Sequence, residues 1–316
     1  MQRPPLETGV QLGIGDDCAL LRPSGGMHLA VSTDMLVEGR HFSPGADAFG
    51  LGHKALAVNL SDLAAMGAAP RWATLALALP EADEAWLAQF SAGFLALAER
   101  FEVALVGGDT TRGPRNISVT IMGEVPAGLA LYREGAQPGD EIWVSGELGG
   151  AALALRCEAG RARFPEGERE ALLLRLHRPE PRVVLGERLR GIATAAIDVS
   201  DGFAGDLAHI LERSGTGALV HYAALPRPQS FARVADAALE RECVLSGGDD
   251  YELIFTAPQS QRGEIEALAT ELGLALSCVG YVQAGEAKLV LLDADGGAMA
   301  VPGGFDHFAP GAAGEP

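Results

Sequence analysis

In the stretch AAIDVSDGFAGDLAHI, residues 195–210, an apolar run ends in two aspartates, Asp198 and Asp201, spaced around Ser200. Gly202 and an amphipathic helix pattern follow. A strand that turns tightly into a helix start offers free backbone N–H groups and a positive helix end, which suit a phosphate. Carboxylates there repel phosphate unless a cation intervenes; alternatively, Asp201 caps the helix. The theme recurs. Asp16 and Asp17 follow Gly15 after a strand pattern, Ser32-Thr33-Asp34 ends another, Gly107-Gly108-Asp109-Thr110-Thr111 a third, and Ser246-Gly247-Gly248-Asp249-Asp250 precedes YELIF. Asn59 and Asp62 lie three apart and share a helix face. Asp and Gly are common turn residues, so any one of these reads as a turn. Asp62 does not: a mid-helix aspartate among small apolar residues has poor propensity and caps nothing.

Carboxylates that converge raise each other's pKa, and hard divalent cations relieve the repulsion. Mg²⁺ prefers oxygen ligands and shares them with substrate phosphates. The pattern therefore predicts several Mg²⁺ ions lying between aspartates and phosphates. Gly107, Gly108, Gly247 and Gly248 would let backbone approach a phosphate closely.

The elements that must position these residues can be read from periodicity. Residues 12–45 predict short strands and turns; 53–67 predicts a helix with Leu56, Leu60, Leu63 and Ala64 as its stripe. A strand over 71–79, a helix over 85–100, a strand running into a Gly-rich loop over 101–113 and a strand over 117–125 follow. QPGDEIWVSG starts a second unit, placing a boundary between residues 1–136 and 137–316. There, 156–181 reads as charged and irregular. Helices are expected over 183–190, 203–214 and 261–272, and strands over 192–199, 251–257 and 288–292. Strands and helices do not alternate strictly, which favours an α+β fold over a doubly wound sheet. The tail GAAGEP is expected to be disordered.

A chain of 316 residues, 48% hydrophobic, can bury a large core and suggests two domains. Its net charge of −18 argues against nucleic acid and anionic membranes as partners. No apolar run reaches the roughly 18 residues of a membrane span, and MQRPPLETGV lacks a signal-peptide core. Cys18, Cys157, Cys243 and Cys278 form no CxxC pair, pointing to a soluble, cytoplasmic protein. Neither lysine, Lys54 nor Lys288, follows a glycine, so there is no Walker A loop.

In order along the chain, GIGDDCALL, VSTDMLVEGRHF, HKALAVNLSDLAAMGAAP, GGDTTRG, IDVSDG and SGGDDYEL closely resemble the thiamine-monophosphate kinase family of the aminoimidazole-ribotide-synthetase-like ATP-binding superfamily. The resemblance runs from about residue 12 to Phe308. It implies a two-domain α+β fold whose N-terminal strands pair across a homodimer. It also implies ATP-dependent phosphorylation of thiamine monophosphate to thiamine diphosphate. Carried over by motif, Asp17, Thr33, Asp34, Asp62, Asp109, Asp198 and Asp201 are expected at Mg²⁺. Ser32, Gly108, Asp109, Arg133 and Ser200 are expected at the nucleotide, and His41, Asp249 and Phe305 at the thiamine substrate. Three departures stand out: Asp249 where the family usually has Glu, Arg40 beside His41 where a smaller polar residue is common, and no short helix before GIGDD.

The bland readings are a solvated linker for Arg133, a surface or core histidine for His41 and plain packing for Phe305. An arginine fork suits phosphate, and an aromatic face suits a cationic ring. Within the superfamily, a selenophosphate synthetase would need a reactive N-terminal Cys or Sec loop with a nearby Lys, and the maturation dehydratase a C-terminal Cys; neither is present. The aminoimidazole ribotide synthetase would match the architecture but not the motif HKALAVNLSDLAAMGA with GRHF. A non-catalytic metal- or nucleotide-binding module stays open.

Overall fold

The computed structural model describes residues 9–301. Phe305, GAAGEP and residues 1–8 lie outside the described residues.

Strands β1 (Val10–Leu12) and β2 (Leu20–Leu21) pair antiparallel ahead of the first main sheet. That sheet contains β3 (Met27–Val37), β4 (Ala69–Leu79), β5 (Ala104–Arg112) and β6 (Asn116–Pro126), ordered β3-β6-β4-β5. Helices α1 (Ala48–Ala65) and α2 (Glu84–Arg100) cover one face through Leu56, Leu60, Phe90 and Phe94, which pack with Ile121 of β6. On β3 the alternation of side chains leaves Leu29, Val31 and Met35 exposed on the opposite face.

The second sheet contains β7 (Glu141–Ser145), β8 (Ala195–Asp198), β9 (Gly217–His221), β10 (Leu253–Ala257), β11 (Leu276–Gln283), β12 (Leu289–Leu292) and β13 (Ala298–Met299). Its order is β13-β12-β9-β11-β7-β10-β8. All its pairs are antiparallel except β12 with β9. Helices α3 (Gly150–Glu158), α4 (Glu166–His177), α5 (Val183–Arg188), α6 (Phe203–Ser214), α7 (Ala237–Ser246) and α8 (Arg262–Leu272) accompany it. The sheet's two faces serve different cores. Ile142, Val144, Ile197 and Ile254 pack with Phe203 and Leu207 of α6; Trp143, Ala196 and Phe255 join the core around α1. The α+β expectation holds, with strands and helices mixed and the sheets largely antiparallel.

Local expectations fail where a tertiary partner overrides the pattern. The first helix begins at Ala48, because Asp47 caps it by accepting the Gly50 N–H at 2.7 Å. Residues 166–177, expected to be irregular, form α4; only Leu172 and Leu176 are buried there, so the apolar stripe was too thin to see. Ser32-Thr33-Asp34 sits in the middle of β3, not at its end. Gly107-Gly108-Asp109 is not a loop: it continues β5 along the sheet edge, where the register shifts and Val106 bulges out.

α1 and α2 cross where each presents a glycine to the other. A Cβ on Gly93 would stand 1.9 Å from the Phe49 carbonyl oxygen, and one on Gly52 would stand 2.0 Å from the Phe90 oxygen. Both clashes are with backbone, so no rotamer relieves them. Gly93→Ala is expected to cost about 1–3 kcal/mol by forcing the helices apart. Urea unfolding measures this as a lower midpoint with little change in slope; an unchanged midpoint would show that the crossing yields freely.

Candidate active site

α1 is apolar nearly all round and buried on nearly every side, as such a helix must be. Its few polar side chains therefore face protein and need partners. Lys54, Asn59 and Ser61 are 3%, 1% and 0% exposed. Asn59 Oδ1 accepts the backbone N–H of Asp34 at 3.1 Å. The Ser61 hydroxyl donates to Asp198 Oδ2 at 2.7 Å, and the Ser32 hydroxyl donates to Asp62 Oδ2 at 2.5 Å. Lys54 Nζ lies 3.1 Å from Asp249 Oδ2. One helix thus ties together β3, the end of β8 and the loop before β10.

The carboxylates so gathered disturb one another. Burial, then the charges of Asp62 and Asp201, push Asp34 up to about 7. Burial also raises Asp62, against the Ser32 hydroxyl and the nearby Arg133 guanidinium, which favour its charged form. Asp198 is raised by burial and then by Asp62, with Asp34 adding to it. Asp34, Asp62, Asp198, Asp201 and Arg133 therefore act on one another across one small region, although they come from separate parts of the chain.

The turn of residues 198–202 is held from below. Asp206, 3% exposed in the first turn of α6, accepts the backbone N–H groups of Ser200 and Asp201, each at 3.1 Å. Burial pushes Asp206 up to about 7, with the charge of Asp201 adding to it. The amide donors expected to attract a phosphate are thus already occupied by the chain's own carboxylate. Asp201 does not cap α6: the cap position is Gly202, without a side-chain bond. The next acidic pair divides its work. Asp250 accepts from the Gly149 and Ala151 N–H groups at the start of α3, while Asp249 faces Lys54.

Other expected residues stand apart. Asp17, Gly108 and Asp109 line an open cavity of about 440 Å³ with Gly15, Cys18 and Thr110; none of Asp34, Asp62, Asp198 and Asp201 lines it. Gly108 has φ +152°, and a Cβ there would stand 1.9 Å from the Leu75 carbonyl oxygen, so this edge must be glycine. Thr33 points to the face opposite Ser32 and Asp34, its hydroxyl 2.8 Å from that of Thr120. His41 lies in the turn after β3, its Nδ1 accepting the Val37 N–H at 3.0 Å, which leaves the proton of a neutral ring on Nε2. Phe305 lies outside the described residues. Motif and spacing do not mark Ser61, Lys54 or Asp206 as site residues. Their signal was polarity within an apolar helix, or a second acid just after a turn.

The donor set around α1 consists of oxygens alone, and its carboxylates hold more negative charge than burial favours. That composition fits a hard divalent cation such as Mg²⁺. Among the described residues, no three His, Cys, Asp or Glu side chains are already disposed around one ion.

The raised values set the sign of a pH dependence. An aspartate with a folded pKa above its unfolded value binds its proton more tightly when folded, so stability falls as pH rises between the two. For Asp34 that window runs from 3.8 to about 7. Metal-free protein is expected to melt lower at the upper end of this window than at pH 5, and Asp34→Asn to flatten the decline. Thermal melts across the range test this against the general effect of net charge; parallel profiles for parent and variant would exclude it.

Two family models match the chain: AIR synthase related protein, N-terminal domain, over residues 15–125, and AIR synthase related protein, C-terminal domain, over residues 137–291. A thiamine-monophosphate kinase of Salmonella typhimurium is 47% identical over 302 residues, 95% of this chain and 93% of the relative. One from Bacillus subtilis is 34% identical over 312 residues, 95% and 94% of the two chains. The crystal structure of the thiamine-monophosphate kinase from Stenotrophomonas maltophilia K279a matches with a TM-score of 0.85 at 50% identity, over 92% of each chain. AaThiL complexed with AMPPCP and TMP matches with a TM-score of 0.80 at 30% identity, over 93% of this chain and 92% of that one. Similar along nearly its whole length, in sequence and in fold, the chain belongs to the AIR synthase related family and, within it, to the thiamine-monophosphate kinases.

Proposed function

We propose that the chain transfers the γ-phosphoryl group of ATP to the phosphate of thiamine monophosphate, giving thiamine diphosphate and ADP. The observation that carries this reading is the gathering of Asp34, Asp62 and Asp198 from three separate elements, in a member of this family. A relative of the same fold holds an ATP analogue together with TMP.

The acceptor is a phosphate monoester, whose second pKa of about 6 leaves it anionic near neutral pH. It needs no general base, and none is nominated. Transfer is direct and in line, with no phosphorylated protein intermediate. What the protein must do is bring two anions together and hold the line of attack. Asp17, Thr33, Asp34, Asp62, Asp109, Asp198 and Asp201 would hold Mg²⁺ ions, whose charge screens that repulsion. Ser32, Gly108, Asp109, Arg133 and Ser200 bind the nucleotide. Gly108 and Asp109 line the open cavity beside β5, and the Arg133 fork suits phosphate oxygens. His41, Asp249 and Phe305 contact thiamine monophosphate.

Residues 1–136 form the nucleotide- and metal-binding dimerisation domain, and residues 137–316 the second α+β domain. The exposed row of Leu29, Val31 and Met35 supports a homodimer formed across the first sheet. No helix among the described residues is long and apolar enough to cross a membrane, and all four cysteines are free, which supports action in the cytoplasm.

Thiamine diphosphate is expected to form from ATP and thiamine monophosphate only when Mg²⁺ is added; a folded, ATP-binding protein that forms none would redirect the reading to another acceptor. Asp62→Asn is expected to lower kcat by roughly a hundredfold or more while the circular dichroism spectrum stays unchanged. A rate within a few-fold of the parent would remove Asp62 from the metal set.

A further inference from the structure

Lys54 takes no role in the proposed chemistry, yet it is an unusual side chain. A lysine is almost never fully buried unless paired, and Lys54 is 3% exposed in the middle of α1. Its ammonium lies 3.1 Å from Asp249 Oδ2; the lysine side chain is 4% exposed and that of Asp249 is 34% exposed. The pair is therefore asymmetric. The cation is locked inside the protein, and its anion stays partly exposed. Leaving a buried ammonium without a counter-charge is strongly unfavourable, so Lys54 dictates where Asp249 must be.

The loop has bent to comply. Asp249 and Tyr251 have φ of +69° and +51°, left-handed values that non-glycine residues seldom adopt. Such backbone persists only where the surroundings over-determine it, and here they do. Asp250 accepts from Gly149 and Ala151 at the start of α3. Glu252 is held by the Ser145 hydroxyl at 2.6 Å and by both arms of Arg182 at 2.6 and 2.5 Å. The Asp249 and Tyr251 N–H groups donate to the carbonyls of Ser200 and Val199, in the turn that carries Asp198 and Asp201. Between these anchors the second Asp249 oxygen is also fixed, because the Tyr251 hydroxyl donates to Oδ1 at 3.0 Å. A half-buried carboxylate with one oxygen set by an ammonium and the other by a phenol is held in one orientation.

We propose that Lys54 is a positioning residue for the thiamine-monophosphate subsite: its buried ammonium, with the Tyr251 hydroxyl, orients the Asp249 carboxylate toward the substrate. The inference rests on Asp249 as a substrate contact. Lys54 itself touches no substrate. Its role is to make the subsite rigid before binding, so its loss should weaken capture of thiamine monophosphate and spare the nucleotide.

Steady-state kinetics on the full-length protein, varying each substrate in turn, tests this. Lys54→Met is expected to raise KM for thiamine monophosphate about tenfold, and Tyr251→Phe about threefold, with KM for ATP within about twofold of the parent. Lys54→Arg, which keeps the charge, should recover much of the loss. Combining Lys54→Met with Asp249→Asn should add little to the worse single variant, as expected for groups acting through one another. A merely structural lysine would lower melting temperature and kcat while leaving both KM values unchanged, and that result overturns the proposal. Should Lys54→Met fail to fold, Tyr251→Phe and Lys54→Arg carry the test, since neither removes the buried charge. If Asp249→Asn leaves KM for thiamine monophosphate unchanged, the substrate role of Asp249 itself fails. If Asp249→Asn raises it and neither Lys54→Met nor Tyr251→Phe does, the positioning role alone is overturned.

Discussion

A helix enclosed on nearly every side cannot carry an idle polar group. α1 meets that constraint by giving Lys54, Asn59, Ser61 and Asp62 each a partner, in three other segments: the loop at Asp249, the end of β8, and β3, which meets two of them through the Asp34 backbone and the Ser32 hydroxyl. Unpaired, each would carry its full desolvation penalty. The demand of the helix interior for hydrogen-bond partners therefore also assembles the site. The glycine crossing with α2 belongs to the same constraint, since only close approach of the two backbones leaves α1 wrapped tightly enough to exclude water.

The same enclosure creates an electrostatic conflict. Asp34, Asp62 and Asp198 are drawn together in poorly solvated surroundings, where their charged forms are disfavoured by burial and by one another. A protein selected for stability alone would not keep them there, and local conflicts of this kind mark functional positions. Asp206 adds a refinement. By occupying the amides of Ser200 and Asp201 it sets the shape of the turn and removes the backbone donors that would otherwise hold a phosphate directly. An anion approaching this turn meets carboxylates first, which is consistent with a cation placed between them.

Much of this was legible in the order of residues. The acidic turns, the mid-helix oddity of Asp62 and the mixed fold class follow from spacing, propensity and the failure of strands and helices to alternate. What stayed hidden depended on contacts distant in sequence. A glycine pair before Asp109 looks like a loop until a neighbouring strand makes it an edge. Ser32-Thr33-Asp34 looks like a strand end because polar residues interrupt the apolar run, when Ser32 and Asp34 are polar inward to meet α1. α4 carries no legible stripe because it buries only Leu172 and Leu176. Lys54 completes no motif, and no local pattern reports that a lysine is interior.

The core around α1 does not stop at residue 136. Trp143, Val183, Leu185, Ala196 and Phe255 belong to the same packed cluster as Leu56, Leu60 and Phe94. The two family regions can be told apart along the chain, but physically they share the interior around α1. Such a chain cannot diversify by exchanging its halves as cassettes. A new C-terminal half would have to arrive with a matching underside for α1, shaped to the same side chains and carrying an acid for the buried lysine. Variation that changes the substrate is thereby confined to the rims and loops, where a residue can be replaced without renegotiating the seam.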